Sequence, residues 1–239
     1  MDLARSRILL AGATGVIGGA VADALTARGA RLALAGRDEA RLAQLADRRA
    51  AHGPVPTRTF EAYDLDACAA LAPWAAEALG GLDAVVAAFG TAAFGPAHEV
   101  TDAVAEHLQA VNALAPTALF RAALPLLPEG GAVLAVTGVV AASPQPGMAD
   151  YSASKAALTA WLQAVRREQR RRGVRVVEAR LGHLDTGFAE RAVAGTPPPM
   201  PPAGRLDLAV AAIADALAGD AELVRPGDDG EPVLDRRAR

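Results

Sequence analysis

The chain has 239 residues, 52% of them hydrophobic and 21% charged, which suits one ordinary globular domain with a core of its own. Its formal net charge of -3 argues against a dedicated nucleic-acid binder, and a single cysteine, Cys68, excludes an internal disulfide framework and a cysteine-based metal cluster. With one thiol and no run of about 18 uninterrupted apolar residues, the expectation is a cytoplasmic protein without a membrane span.

Short apolar runs then alternate with longer helical patterns. Strand Arg7–Ala11 comes first; Arg5 and Arg7 precede an apolar stretch, but Gly12, Gly15, Gly18 and Gly19 break it, so no secretory leader is expected. Helix Val16–Arg28, strand Arg31–Ala35, helix Glu39–Ala51, a weaker strand within Val55–Tyr63 and helix Leu65–Leu79 follow. Strand Asp83–Ala88 leads to a helical stretch over Thr101–Leu127 that Pro116 and Pro125 should kink or end. Strand Ala132–Val136, helix Tyr151–Arg172 and strand Val174–Arg180 continue the alternation. Residues 196–204 are too proline-rich for helix or central strand and read as a surface linker or a lid over substrate. Helix Asp207–Ala218 and edge strand Ala221–Val224 close the pattern, and the polar residues 228–239 read as a frayed tail. The alternation predicts an α/β fold: a Rossmann-type doubly wound parallel sheet with helices on both faces, in a single domain spanning 1–239. Ligands bind such sheets beyond the carboxyl ends of the strands, which directs attention to the segments after Ala11, Ala35, Ala88, Val136 and Arg180.

The first of these segments runs Gly12-Ala13-Thr14-Gly15-Val16-Ile17-Gly18 into a helix. Glycines there let the backbone turn tightly and approach a pyrophosphate, while the helix N-terminus offers free N–H groups and positive dipole charge. A tight structural turn is the bland alternative, but the strand–turn–helix context favours a dinucleotide. After the second strand an NAD site would place a carboxylate on the ribose hydroxyls; here the strand ends in Gly36-Arg37, and Arg37 can pair with a 2′-phosphate. Asp38 competes for the NAD role but could equally cap the next helix. NADP(H) is therefore favoured over NAD(H).

Tyr151 and Lys155 stand one helical turn apart on one face. A phenol with an ordinary pKa of about 10 is a poor acid–base at neutral pH, and a neighbouring ammonium should favour its ionised form. A chance pair on an amphipathic helix is the bland alternative. It is weakened because Lys155 is the only lysine of the chain and Tyr151 one of two tyrosines.

The glycine turn, Asp64-Leu65-Asp66, Val111-Asn112, Tyr151-x-x-x-Lys155 and Leu181-Gly182-x-x-x-Thr186 together resemble the short-chain dehydrogenase/reductase family over nearly the whole chain. The resemblance implies that Tyr151 acts as general acid/base toward a carbonyl oxygen while NADPH delivers hydride to carbon. It implies that Lys155 lowers the tyrosine's pKa and bonds the nicotinamide ribose, and that Asn112 holds a water in a proton relay. Asp64 and Leu65 would meet the adenine, Gly90 would allow backbone approach to the cofactor, and Gly182 and Thr186 would lie at the nicotinamide carboxamide or a nearby phosphate. The helices holding Asn112 and Tyr151 would form the interface of a homodimer or homotetramer.

The chain also departs from the family pattern. Gly138 stands where the family usually carries a serine that polarises the carbonyl, and Thr137 or Ser143 are the candidates to replace it. Ala87-Ala88-Phe89-Gly90 stands for the family's Asn-Asn-Ala-Gly, keeping only the glycine. His183, in the loop after Arg180, is read equally as a structural histidine or a substrate contact. His52, His98 and His107 lack metal-ligand spacing, so no metal site is expected. The leading reading is an NADP-dependent reductase of a hydrophobic carbonyl compound. The pocket would be lined by 138–148 and 188–200, with Phe94 close by. The alternatives are redirected non-redox chemistry (dehydration, isomerisation or cyclisation) and an NADP-binding regulatory protein.

Overall fold

In the computed structural model, residues 1–49 and 53–236 are described. Eight strands form one sheet: β1 (Arg7–Ala11), β2 (Arg31–Gly36), β3 (Thr57–Thr59), β4 (Ala84–Ala87), β5 (Ala132–Val136), β6 (Arg175–Ala179), β7 (Ala221–Pro226) and β8 (Pro232–Arg236). The order is β3-β2-β1-β4-β5-β6-β7-β8, parallel from β3 through β7. The chain winds outward from β1 to β3, then returns to the other side of β1 with β4. The carboxyl ends of β1 and β4 thus flank the crevice where the winding reverses.

Alternate residues of each strand supply two separate cores. Leu9, Ala33, Val85, Val133 and Val176 face α3 (Leu65–Leu79), α5 (Ala115–Ala123) and α6 (Ala149–Gln169). Ile8, Leu10, Leu34, Val86, Leu134 and Val177 face α1 (Val16–Ala27), α2 (Glu39–Asp47) and α7 (Leu206–Ala218). A strand buried on both faces has no polar side to show, which is why these runs read as continuously apolar in the sequence.

Two segments differ from expectation. Within the stretch 228–239 read as a frayed tail, Pro232–Arg236 form β8, antiparallel to β7 and tied to it by Arg225–Asp235 and Arg236–Asp220 pairs, while 237–239 lie outside the described residues. The turn at Gly227–Gly230, with Gly230 at φ +81°, makes a hairpin where polarity alone suggested disorder. The expected helix Glu39–Ala51 ends as an α-helix at Asp47, and Ala51 lies outside the described residues. The helical stretch over Thr101–Leu127 is divided as its prolines require. α4 (Asp102–Gln109) widens into a π turn over Ala110–Leu114 before α5. Pro116 has no N–H to give the carbonyl of Asn112, four residues back, and its ring crowds that oxygen. Pro125 falls in a 3-10 turn, Leu124–Leu126, that ends the stretch.

The amino ends of β1 and β4, opposite the crevice, are joined by Arg7 and Asp83. The guanidinium donates to both carboxylate oxygens at 2.8 Å, and the Arg7 backbone N–H donates to the same carboxylate. These bonds hold the Asp83 carboxyl below its usual range. Because the folded value is depressed, the stabilisation is present above the ordinary carboxylate pKa of about 4 and is lost as pH falls through the folded value. Asp83→Ala should cost about 2 kcal/mol in urea unfolding at pH 7 and less at pH 3, with dinucleotide affinity unchanged.

Candidate active site

The glycine turn is built as a cradle. Gly12 adopts φ +89°, and a Cβ there would sit 2.6 Å from the carbonyl oxygen of Ala88 at the end of β4. A Cβ on Gly18 would run into the Gly12 carbonyl. The side chains of Asp38, Asp64 and Thr101 cap α2, α3 and α4, yet Gly15 leaves the first N–H groups of α1 without a side-chain cap. An uncapped helix start beside a side-chain-free turn at the crevice fits the pyrophosphate of a dinucleotide. Thr14 packs against Gly36, whose Cβ would meet the threonine hydroxyl at 2.9 Å.

Asp38 accepts the Arg41 N–H at 3.0 Å as the N-cap of α2, and Arg37 is exposed beside it. Asp64 caps α3 through the Ala67 N–H at 2.9 Å, leaving its exposed carboxylate and Leu65 at the carboxyl end of the neighbouring strand. Val16 and Ile17 open α1, with Val16 42% exposed.

Asn112 is fully buried in the π turn. Its Oδ1 accepts the Thr91 N–H at 2.9 Å, and its Nδ2 donates to the Thr91 carbonyl and the Ser154 hydroxyl at 2.9 and 3.0 Å. Ser154 in turn donates to the Tyr151 carbonyl. Gly90 has room for no side chain: a Cβ would lie 2.9 Å from both Asn112 Oδ1 and Lys155 Nζ. The Lys155 ammonium is thus brought against the backbone that leaves β4, and its remaining contact is the Val136 carbonyl at 3.5 Å.

Tyr151 stands in an apolar cluster with Phe94, Met148, Phe188 and Ala189, its ring 6.3 Å from that of Phe188. Burial pushes its phenol up to about 12 and lowers Lys155 to about 8. The expected lowering of the phenol by the ammonium is not seen; desolvation governs both groups and penalises the charged form of each. At neutral pH the site therefore holds a protonated phenol beside a mostly protonated amine.

Gly138 is extended (φ -171°), and a Cβ there would meet Val140 at 3.6 Å without a clash. An added Cβ would stand 3.9 Å from the Tyr151 hydroxyl and 3.8 Å from the Leu181 carbonyl, both ordinary contacts. Neither expected substitute fills the gap. Thr137 is buried beneath α6, where it donates to Glu178 Oε1 at 2.7 Å alongside Thr159. Ser143 is exposed past the following turn, where Gln145 donates to it. Adjacent residues at a strand end point oppositely, so a hydroxyl moved by one position leaves the site.

His183 is half-buried, and its carbonyl accepts the Gly204 N–H at 2.8 Å, anchoring the end of the proline-rich segment. A Cβ on Gly182 would meet Pro226 of β7 at 3.4 Å, and the Thr186 carbonyl accepts from Arg191. The other end of the segment is held by Val193 N–H to the Ala92 carbonyl and Phe94 N–H to the Ala194 carbonyl. An apolar cavity of about 420 Å³ lies between Phe94, Pro96, Pro146, Thr196 and Pro198. The Asn112–Ser154 bond went unnoticed in the sequence, whereas Phe188 falls within the expected pocket lining 188–200. Glu178, a carboxylate inside the apolar run Arg175–Ala179, carried a visible signal: its Oε1 also accepts from Thr159, and Arg180 pairs with it. Among the described residues no His, Cys, Asp and Glu group could hold a metal ion, and no helix is long and apolar enough to cross a membrane.

The family model for short chain dehydrogenase matches residues 6–196. A short chain dehydrogenase of Pseudocercospora fijiensis is 33% identical over 175 residues, 71% of this chain and 56% of that relative's length, so the chain spans little more than half of it. An alcohol dehydrogenase of the archaeon Thermococcus sibiricus, solved with 5-hydroxy-NADP, superposes with a TM-score of 0.83 at 25% identity, covering 98% of this chain and all of that one. A short chain dehydrogenase/reductase of Burkholderia phymatum, solved with NAD, superposes at 0.82 with 20% identity, over 91% of this chain and 87% of its own. With a cradle for a dinucleotide at the β1–β4 crevice and a model match over most of its length, the chain belongs to the short-chain dehydrogenase/reductase family, an oxidoreductase family that uses a nicotinamide cofactor.

Proposed function

We propose that this protein reduces an apolar ketone or aldehyde with NADPH, Tyr151 serving as the acid. The observation that carries the reading is the buried Lys155 set against Gly90, with the half-buried Tyr151 one helical turn before it. Bound NADPH would supply hydride to the carbonyl carbon. Tyr151 gives its proton to the carbonyl oxygen, and Lys155 holds the phenolate that remains. Asn112 keeps its side chain for Thr91 and Ser154, so its part is to fix Lys155 and Tyr151 in place. The relay water expected at Asn112 would have to use its main-chain carbonyl, which Pro116 takes out of the α-helical pattern.

NADP is preferred over NAD because no carboxylate ends β2 and Asp38 is occupied as a helix cap. The Thermococcus relative, an alcohol dehydrogenase holding an NADP derivative, points the same way. Phe94, Met148 and Phe188 around Tyr151, with the apolar cavity beside the proline-rich segment as a lid, favour a hydrophobic substrate. Pairing of two chains would use the faces of α5 and α6 beside the exposed Leu114 of the π turn. A second reading, non-redox chemistry on the same frame, is favoured by the one missing donor at Gly138.

Consumption of NADPH and NADH against a panel of ketones and aldehydes is the deciding measurement. Tyr151→Phe should lower kcat by about 10²–10⁴-fold with NADPH affinity unchanged in fluorescence titration. Gly138→Ser fits in ordinary van der Waals contact and supplies a donor beside the phenol, so kcat should rise by up to about 10²-fold. Tight NADPH binding without turnover of any carbonyl, in either form, would sink the reductase reading in favour of the second.

Lys155 supplies a pH test. Reduction needs the phenol protonated, as it is up to about 12, and the ammonium charged, as it is below about 8. The rate of reduction should be level through neutrality and fall as pH rises past about 8. In Lys155→Met that limb should vanish together with most of the rate.

A further inference from the structure

Strand β6 carries a carboxylate on a face that is otherwise apolar. Glu178 lies between Ala135 of β5 and Leu223 of β7, beneath α6, and is 1% exposed. Val133, Ala135 and Val176 on the same face belong to the hydrophobic core. Two further polar side chains are buried to meet it: Oε1 accepts from the Thr137 hydroxyl at 2.7 Å and the Thr159 hydroxyl at 2.8 Å. Arg180 closes the set, donating from Nε to the same oxygen at 3.1 Å and from Nη2 to Oε2 at 2.9 Å. Taking charge out of water is costly, and apolar residues at these positions would fill the layer without that penalty. What such a network supplies is register, because a carboxylate gripped by fixed donors tolerates little sliding.

Its partners belong to three segments that build the site. Thr137 follows Val136, whose carbonyl accepts from the Lys155 ammonium at 3.5 Å, and precedes Gly138 beside the phenol. Thr159 stands one turn beyond Lys155 on α6 and roughly two turns beyond Tyr151. Arg180 follows β6 and leads into the loop 181–186. The carboxylate therefore fixes α6 to the end of β5 close to where the helix carries its ammonium. Other ties of α6 lie elsewhere: Asn112 holds Ser154 from the side of the π turn, and Arg166 fastens the far end to the Val176 carbonyl at 2.8 Å.

We propose that Glu178 is a positioning residue for carbonyl reduction, a clamp on Thr137 and Thr159 that sets where Lys155 and Tyr151 stand against the end of β5. The assignment to that reaction rests on the reading that this chain is a carbonyl reductase. Opening the clamp lets α6 shift on the sheet, admits water around the ammonium and spoils the aim of the phenol.

Thr137→Val and Thr159→Val each open one arm with little change of shape. In each, kcat at saturating NADPH should fall about tenfold or more, with NADPH affinity within about twofold of the unsubstituted protein. Thr159→Ser keeps the hydroxyl and should recover most of the loss. The double Val variant should lose far less than the product of the single losses, since either one already frees α6 from β5; losses that multiply would overturn the clamp. A second readout needs no turnover. Lys155 is the only lysine, so protein produced with lysine isotopically labelled at the ε carbon gives one lysine signal, and its titration reads that ammonium directly. Its lowering to about 8 comes from burial, so water admitted in Thr159→Val should raise the midpoint, and Thr159→Ser should bring it back. If the Val variants lose thermal stability but keep both kcat and the midpoint, Glu178 only stabilises the sheet and the assignment falls. NADPH affinity falling in step with kcat would also overturn it, as damage to the whole sheet end. If the unsubstituted protein turns over no carbonyl, the reductase reading falls while the lysine signal still decides the clamp: a raised midpoint upholds it and an unmoved one overturns it.

Discussion

One buried amide holds the site together. Asn112 uses the oxygen and both hydrogens of its side chain on Thr91 and Ser154, joining the segment that leaves β4, the π turn and α6. Asn112 itself is fully buried, and deleting the amide would leave the backbone N–H and C=O of Thr91 without their partner together. The position of Lys155 depends on that junction, because Gly90 passes between the asparagine and the ammonium with no space for a side chain. The π turn that presents Asn112 follows from Pro116, and Pro116 is local sequence. A proline four residues downstream thus sets where the amide, and through it the ammonium, can stand.

The electrostatics of the pair follow from its burial. An apolar wall of Phe94, Met148 and Phe188 removes water from Tyr151, so both the phenolate and the ammonium are disfavoured. The two shifts converge: phenol up, ammonium down. Such a site holds its proton on the oxygen at neutral pH, the state a reductase requires before reaction. Burial thus keeps the proton on the phenol, and no side-chain hydroxyl stands beside it at Gly138.

Much of this was readable without coordinates because it is periodic or punctuated. The two-faced burial of β1, β4 and β5 makes unbroken apolar runs, and the turn glycines and the Tyr151–Lys155 spacing are local patterns. What the sequence hid depends on direction or distance. Thr137 and Gly138 are neighbours in the chain, yet the threonine hydroxyl is taken by Glu178 beneath α6. The phenol's ionisation is set by Phe188 and Met148, which no spacing rule connects to Tyr151. The final strand was hidden because β8 is an edge, half exposed, with the composition of a tail.

That last strand also changes how the sheet ends. Without β8, β7 would expose a row of unpaired backbone groups, an open template for another chain. The hairpin closes it and moves the boundary outward to a strand carrying Asp235 and Arg236, both held in ion pairs with the body of the fold. Growth of the sheet in that direction would have to break those pairs and seat charge against a neighbour. The last turn of the chain therefore acts as a terminator of strand addition, written in residues that look dispensable.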